Sequence, residues 1–444
     1  MKYYTHGCIL TMNPELPVIP DGFICVEGTQ IHSVGSMSEL PGTPDSSQAE
    51  DMGGKILMPG MVCTHSHFYG QLIRGMAVQF TLRNWQQVLS RLWWNVDRCL
   101  DEEMTYASAL MGLKEGLLCG VTSFVDHHAS PSFCTGSLDI LEQAVKQAGA
   151  RAILSYEVSD RNGAASCKEG LLENVRFIEK CRGRDDKDTV RAMFGLHALY
   201  SLSTDTLHAA AEAEKPYNVG FHIHCAEDRA DVVDAYRNYD MHTVEELLVC
   251  GIIREKTILA HFVHTQKPEW EIVRKAGASI AHNPQSNASN AVGICPVSDM
   301  LNDGVHVALG GDGFYYDLFQ ELNLAMLLQK LKTGDPRAMG SEQLQELAFT
   351  NPYRVISNAF GKSFGILKAG YQADFIAVDY DAPTPIHKNN YMSHLVSAFT
   401  GHVTDSVIAG RRIVQARTVL GLSPDTAEFC RRQAARLETA FRTL

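Results

Sequence analysis

The chain has 444 residues, of which 45% are hydrophobic and 20% charged, which is typical of a globular protein with one large domain and an appended smaller one. Acidic residues number 51 against 39 basic ones, and the net charge of −12 argues against nucleic acid or an anionic membrane as a partner. The N-terminus lacks a signal-peptide pattern, no apolar run approaches membrane length, and the 12 cysteines include no Cys-x-x-Cys pair, so a cytoplasmic protein with reduced thiols is expected.

Both ends of the chain show the pattern of short strands separated by turns. The apolar or alternating segments that indicate these strands are Cys8–Met12, Gly22–Glu27, Ile31–Val34, Gly370–Tyr380 and Val403–Val414. We expect residues 1–57 and 366–420 to form one small β-sandwich domain. Residues 421–444 have an amphipathic helical pattern, which predicts a terminal helix that docks on the protein body or mediates a homodimer.

Residues 58–365 alternate between apolar segments of strand length and amphipathic stretches of helical spacing. The eight predicted strands are Leu57–Cys63, Thr122–Asp126, Arg151–Glu157, Val190–Leu196, Gly220–His224, Thr257–His261, Ala278–His282 and His306–Gly310. This alternation favours a parallel sheet, and eight repeats in this length predict a (β/α)₈ barrel. A doubly wound open sheet is the alternative, but it usually carries a glycine-rich loop after its first strand, where this chain has histidines.

Two of those histidines lie one residue apart, at the end of the first predicted barrel strand. Side chains at positions i and i+2 of a strand point to the same side, so His65 and His67 can bind one metal ion together. Imidazole is a common ligand of zinc and iron. Alone, the pair is equally consistent with surface or capping histidines.

The other predicted barrel strands also end in polar residues. These ends are Asp126-His127-His128, Glu157, His197, His224 with Glu227 just beyond it, His261, His282-Asn283 and Asp312. The C-terminal face of such a barrel carries the chemistry. Burial of so many polar groups without a task would cost free energy for each unpaired group, so we expect a functional site there.

These residues can be assembled into a hydrolytic metal site with an open position. The predicted metal ligands are His65, His67, His224 and Asp312. A metal-bound water has its pKa lowered from about 15.7 toward 7, which produces a hydroxide nucleophile. Glu227, three residues after His224, is predicted to shuttle protons to the leaving group, and His261 to orient or stabilise the attacking hydroxide.

The combined motifs resemble those of the amidohydrolase superfamily. They are His65-x-His67, His224-x-x-Glu227, Ala260-His261 and Gly311-Asp312-Gly313. The segments Asn283–Asn287 and Gly293–Val297 are similar to those of the cytosine deaminase and triazine hydrolase branch. Residues 92–97 and 122–131 resemble the SsnA-type aminohydrolases more closely.

The resemblance implies one divalent metal ion, zinc or alternatively iron, with Glu227, His261 and Asp312 as catalytic residues. His197 corresponds to a histidine that usually contacts substrate, and Arg74 to a recurrent loop position. The fourth strand offers no lysine for a second metal. Relatives often have glutamine three residues after the second histidine, where this chain has Gly70 followed by Gln71. The predicted substrate contacts are His197, Gln71, Arg74 and Trp94.

The predicted reaction is hydrolytic deamination of a small amino-substituted N-heterocycle, with purine and pterin rings as first candidates. A triazine-type chlorohydrolase or N-dealkylating hydrolase, a cyclic amide hydrolase and a non-catalytic metal-binding homologue are the alternatives. Residues 83–96, including Trp94, form either an aromatic wall for a planar ring or ordinary packing at the barrel mouth. Whether His127, His128 and His282 act in the site or only support it is left open.

Overall fold

The computed structural model describes residues 1–42, 44–45, 47–185, 188–397 and 399–443. In chain order the strands are β1 (Lys2–Leu10), β2 (Val18–Glu27), β3 (Gln30–Ser36), β4 (Ala49–Asp51), β5 (Ile56–Pro59), β6 (Met61–Ser66), β7 (Val121–His128), β8 (Arg151–Tyr156), β9 (Val190–Ala192), β10 (Phe194–Ala198), β11 (Phe221–Cys225), β12 (Ile258–His261), β13 (Ser279–His282), β14 (His306–Leu309), β15 (Phe375–Asp379), β16 (His402–Ile408), β17 (Arg411–Gln415) and β18 (Thr418–Val419).

The α-helices that accompany these strands are α1 (Trp85–Val88), α2 (Trp94–Cys99), α3 (Glu102–Leu118), α4 (Ser137–Ala148), α5 (Ala164–Cys181), α6 (Thr204–Glu214), α7 (Arg229–Tyr239), α8 (Thr243–Val249), α9 (Lys267–Ala276), α10 (Pro284–Ser289), α11 (Val297–Asn302), α12 (Leu318–Thr333), α13 (Ser341–Gln345), α14 (Asn351–Phe360), α15 (Tyr391–Val396) and α16 (Thr426–Phe441). Among the described residues, no helix combines the length and apolarity that crossing a membrane would require.

The predicted barrel is confirmed. Strands β6–β9 and β10–β14 form two parallel arrays, joined by backbone bridges between Ser66 and Asp312 and between Val158 and Leu196. Strands β9 and β10 together occupy one barrel position, interrupted at Met193. The predicted fourth strand, Val190–Leu196, is therefore two short strands rather than one.

The helices cover the outside of the barrel with one apolar face each. In α4, the buried side chains of Leu138, Leu141 and Val145 recur at intervals of three and four residues and so lie on the same face. The helix ends at Gly149, which has a left-handed φ of 80° and lies close to Ile413. This alternation of buried strand and one-sided helix explains why the barrel was readable in the sequence.

Strands from both chain ends form a second sheet outside the barrel. Its order is β18-β17-β16-β15-β5-β1-β2-β3, with β4 paired to β1. The predicted strand Leu57–Cys63 is divided here, because β5 belongs to this sheet and only β6 enters the barrel. Gly60 lies between them, where a Cβ would come within 2.2 Å of the Thr122 side chain. The domain boundaries proposed from the sequence stay a prediction.

A buried ion pair connects the second sheet to the barrel. Arg151 at the start of β8 binds both oxygens of Asp374, with Nε–Oδ2 at 2.7 Å and Nη2–Oδ1 at 3.1 Å. Asp374 also accepts a hydrogen bond from the backbone N–H of Ala409 at 2.7 Å. A bidentate pair of this kind fixes the orientation of the two side chains as well as their distance.

The C-terminal helix α16 packs against α3.

Candidate active site

The four predicted metal ligands lie together at the C-terminal ends of the barrel strands. Nε2 of His67 is 3.2 Å from Nε2 of His224 and 3.2 Å from Oδ1 of Asp312. Nε2 of His65 is 3.5 Å from the same Oδ1 and has no hydrogen-bond partner among the described residues. Two ligands of a tetrahedral zinc ion, each about 2.0–2.1 Å from the metal, are roughly 3.3 Å apart. The spacing therefore fits one such ion.

The remaining ring nitrogens of the three histidines are held by hydrogen bonds. Nδ1 of His67 donates to the carbonyl oxygen of His127 at 2.6 Å, and Nδ1 of His224 donates to that of His197 at 2.7 Å. Nδ1 of His65 is 2.8 Å from Nε2 of His222, to which it donates. These contacts select the tautomers whose Nε2 lone pairs can bind a metal.

Asp312 is positioned by an unusual backbone conformation. Its φ is 55°, and its backbone N–H donates to the carbonyl oxygen of His65 at 2.9 Å. The preceding Gly311 is needed because a Cβ would come within 1.7 Å of the carbonyl oxygen of Tyr315. Burial opposes ionisation of Asp312, but the adjacent imidazoles of His65 and His67 outweigh it and hold the pKa of Asp312 well below its usual value. The carboxylate can thus bind a metal or accept a proton.

Glu227 and His261 lie beside this cluster. Oε1 of Glu227 is 3.7 Å from Nδ1 of His261, and burial together with neighbouring carboxylates raises the pKa of Glu227 well above its usual value. Nδ1 of His261 donates to Oδ1 of Asn287 at 2.8 Å, while its Nε2 lies 3.9 Å from Oδ2 of Asp312. Burial lowers the pKa of His261. Both shifts favour the uncharged forms, a protonated carboxyl beside a neutral imidazole.

The four predicted substrate contacts divide into two groups. His197 and Trp94 line a cavity next to the predicted metal ligands. Nδ1 of His197 donates to Oγ of Ser201 at 2.7 Å, which leaves its Nε2 as an acceptor. Gln71 instead donates to the carbonyl oxygen of Gly313, and Arg74 pairs with Glu115 on α3. Neither Gln71 nor Arg74 is among the residues that line this cavity.

The remaining cavity residues differ in what the sequence indicated for them. Trp85, Leu89 and Trp93 belong to the predicted aromatic wall, and Glu157 is one of the predicted polar strand ends. Tyr69, Asp97, Arg161 and Tyr200 were not assigned a role from the sequence. Glu157 had one signal, since it follows a barrel strand, and burial raises the pKa of its carboxyl to about 7. Asp97 and Arg161 form a buried ion pair under the ring of Trp94. No local pattern in the sequence indicates that pair, because its members come from separate connections of the barrel.

The sequence did not decide whether His127, His128 and His282 act in the site. None of the three is among the residues that line the cavity. The ring of His127 stacks on that of His222 with centroids 4.3 Å apart, and neither nitrogen of His127 has a hydrogen-bond partner among the described residues. Nε2 of His128 is 2.8 Å from Oγ of Ser130, whereas both nitrogens of the buried His282 lack a described partner. Their positions place them beneath or beside the predicted ligands.

An aromatic segment forms part of the cavity wall. Residues 85–94 run through α1, a π-helical turn at Leu89–Trp93 and the start of α2, and contribute Trp85, Trp93 and Trp94 to the lining. The enclosed volume is about 30 Å³. That is room for one or two waters, so a two-ring heterocycle requires these side chains to move outward.

Comparison with known proteins identifies the family. The Amidohydrolase family matches residues 56–413. The chain is 32% identical over 413 residues to a 5'-deoxyadenosine deaminase of Methanothermobacter thermautotrophicus, covering 91% of this chain and 92% of that protein. It is 31% identical over 422 residues to a 5-methylthioadenosine/S-adenosylhomocysteine deaminase of Pelotomaculum thermopropionicum, covering 94% of each.

A solved structure of an adenosine deaminase from Xanthomonas campestris with bound zinc has the same fold. It superposes with a TM-score of 0.86 at 23% identity, covering 100% of this chain and 98% of that one. The predicted enzyme class, a metal-dependent hydrolase of carbon–nitrogen bonds, is confirmed by the family match and the deaminase relatives. The chain therefore belongs to the amidohydrolase family.

Proposed function

We propose that this protein is an aminohydrolase that uses one divalent metal ion to release ammonia from an amino-substituted purine ring. The observation that carries the proposal is the buried carboxyl of Glu227, 3.7 Å from His261, near the ring nitrogens of His65, His67 and His224, which lie within 4.8 Å of one another. The relatives are named for deamination of adenosine derivatives, which favours a purine over a pterin.

His65, His67, His224 and Asp312 would hold the metal ion, which we propose to be zinc, with iron as the alternative. When bound, a metal at this position lowers the pKa of its water toward neutrality and supplies the nucleophile. The fourth barrel strand position carries no lysine in Phe194–Ala198, which supports a single ion. The relative crystallised with zinc supports the choice of metal.

Three residues would move or stabilise protons and charge. Glu227 gives its proton to the ring nitrogen beside the amino-bearing carbon, so that the ring can accept electron density during attack. Asp312 accepts a proton from the attacking water through its low-pKa carboxylate. His261, whose Nδ1 proton is donated to Asn287, presents Nε2 as an acceptor that orients the attacking water. Glu227, now a carboxylate, takes the proton of the new hydroxyl group and passes it to the amine. Ammonia leaves, the carbonyl forms, and the proton held by Asp312 returns to Glu227.

A substrate panel with two readouts tests the proposal. Metal-loaded protein is given aminated purines, aminated pterins and chlorinated triazines, and ammonia and chloride are measured separately. We expect ammonia from at least one aminopurine and no chloride from any triazine. Chloride release without ammonia would favour the chlorohydrolase alternative, and no reaction by fully metal-loaded protein would favour the non-catalytic one.

A further inference from the structure

The carboxyl group of Glu157 has no use in the reaction described so far. It lies just beyond β8, lines the cavity and has a side chain that is 2% exposed. Its Oε1 has no hydrogen-bond partner among the described residues. The basic groups within 4 Å of it in the described structure are two imidazoles, with Nδ1 of His67 at 3.2 Å and Nδ1 of His127 at 3.7 Å.

Neither imidazole satisfies this carboxyl. His67 has a single Nδ1 proton, which is already donated to the carbonyl oxygen of His127 at 2.6 Å. The nitrogens of His127 make no hydrogen bond to a described residue. Arg161 uses Nη2 to pair with Asp97, and its Nε and Nη1, which have no described partner, are not within 4 Å of the Glu157 oxygens. A buried carboxyl without a donor is costly. A ligand in the cavity can supply the missing donor.

The strand order indicates which part of a ligand would reach it. Strand β10, which carries His197, separates β8 from β11 in the barrel, so Glu157 and Glu227 lie on either side of His197. Both carboxyl groups line the same cavity. A ring that presents its amino-bearing edge to Glu227 therefore offers a different edge to Glu157.

The residues that line the cavity also include buried donors without a described partner, among them Nε and Nη1 of Arg161. Nε1 of Trp94 is buried, and it has no hydrogen-bond partner among the described residues. A cavity with a free carboxylate and a free N–H matches a lactam edge, in which a ring N–H lies beside a carbonyl oxygen. Adenosine lacks such an edge, because its ring nitrogens carry lone pairs or the sugar and would face the carboxylate unfavourably.

We propose that Glu157 accepts a hydrogen bond from a ring N–H of the substrate and selects amino-oxopurine bases over adenosine-type nucleosides. This inference rests on the proposed deaminase function and deepens it by naming the substrate class. Trp94 donates to the ring carbonyl in the same complex. Glu157 is thus a specificity-determining residue, separate from the proton carrier Glu227.

The first test compares Glu157→Gln with wild type on guanine, which has a lactam edge, and 9-methyladenine, which has no ring N–H. Hydrogen bonds to charged groups are worth about 1.5–3 kcal/mol, or about 10- to 150-fold. We expect wild type to prefer guanine, and the variant to lose about that factor in kcat/KM for guanine only. Metal content should stay near wild type. Equal losses on both rings, or loss of the metal, would mean that Glu157 only supports His67.

Glu246→Gln is the matched control. Glu246 lies on α8, is buried and has two oxygens without a described hydrogen-bond partner, but it does not line the cavity. Its substitution should leave the guanine preference unchanged. A loss in this control equal to that of Glu157→Gln would show a general effect of neutralising a buried carboxyl and overturn the inference.

A binding measurement tests the role of Glu157 without requiring the protein to catalyse a reaction. Calorimetric titration with xanthine, which has lactam edges, and 9-methyladenine requires no reaction. We expect wild type to bind xanthine at least about 10-fold more tightly, and Glu157→Gln to lose this preference. If no ring releases ammonia but xanthine is still selected through Glu157, the deaminase proposal fails and the binding assignment stands. Absence of any preference in wild type overturns the assignment.

Discussion

Substitution of Glu227 by glutamine separates binding from chemistry. Glutamine has nearly the shape of the protonated carboxyl that burial favours at this position, so the fold should tolerate the change. The variant cannot carry the proton to the ring nitrogen. The nearest basic contact of Glu227 is His261, at 3.7 Å, and no predicted metal ligand depends on it for a hydrogen bond. Metal content should therefore stay near that of wild type.

The expected loss in rate follows from the surroundings of Glu227. General acid–base groups contribute about 10²–10⁴-fold, and each decade corresponds to about 1.36 kcal/mol. Oε1 of Glu227 is buried without a hydrogen-bond partner among the described residues, so no nearby donor can take its place. We therefore expect the upper half of the range, about 10³–10⁴-fold, or about 4–5.5 kcal/mol in the barrier.

The assay is steady-state ammonia release by metal-loaded protein, with elemental analysis of the same preparation. A rate near wild type in Glu227→Gln would refute the role as proton carrier. Loss of the metal with the activity would place Glu227 in the metal site instead. A chloride-releasing reaction needs no proton on its leaving group, so a small effect would also favour that alternative.

Three further predictions follow from other contacts. His65→Ala should lose metal and activity together, measured by elemental analysis and ammonia release, because its Nε2 faces Asp312 at 3.5 Å; metal retention would contradict its role as a ligand. Burial raises the pKa of Asp231 to about 7, above its unfolded value. Below pH ~4 the carboxyl is protonated in both states and does not change the free energy of unfolding. As the pH rises from about 4 to 7, the unfolded state loses its proton first and the free energy of unfolding falls. Asp231→Asn should flatten the pH dependence of the urea midpoint in that window, and an unchanged slope would reject this origin. Asp374→Asn should leave Arg151 buried with a weakened partner and destabilise the protein by about 3–5 kcal/mol in urea unfolding; an unchanged midpoint would show that the pair is not needed.

The barrel and the predicted metal ligands could be read from the sequence because both depend on local patterns. Apolar strand segments mark the eight barrel positions, and parallel strands end on one face. Residues such as His67 and Asp312 therefore lie 3.2 Å apart although 245 positions separate them along the chain. The division at Gly60 was missed because β5 and β6 are both fully buried and differ only in their partner strands.

The contacts of the cavity wall could not be predicted from local sequence patterns. Asp97 and Arg161 meet through packing of α2 against the segment after β8, and nothing near either residue in sequence specifies that contact. Gln71 shows the converse problem. The family pattern suggested a substrate contact, but its amide donates to Gly313 behind the loop that carries Asp312. A shift of one position relative to relatives changes which way a side chain faces.

We expect the π-helical turn at Leu89–Trp93 to be the place where the aromatic segment over the cavity moves when a ring enters. A π-helical turn contains one more residue per hydrogen-bonded ring than an α-helical turn, and it is a weaker point in a helix. Movement there can open the space over the metal cluster without unfolding α1 or α2. Closure over a bound ring would expel water and strengthen each electrostatic contact inside. Product release would then require opening, so both the chemical step and the motion of a few aromatic side chains would limit the turnover rate.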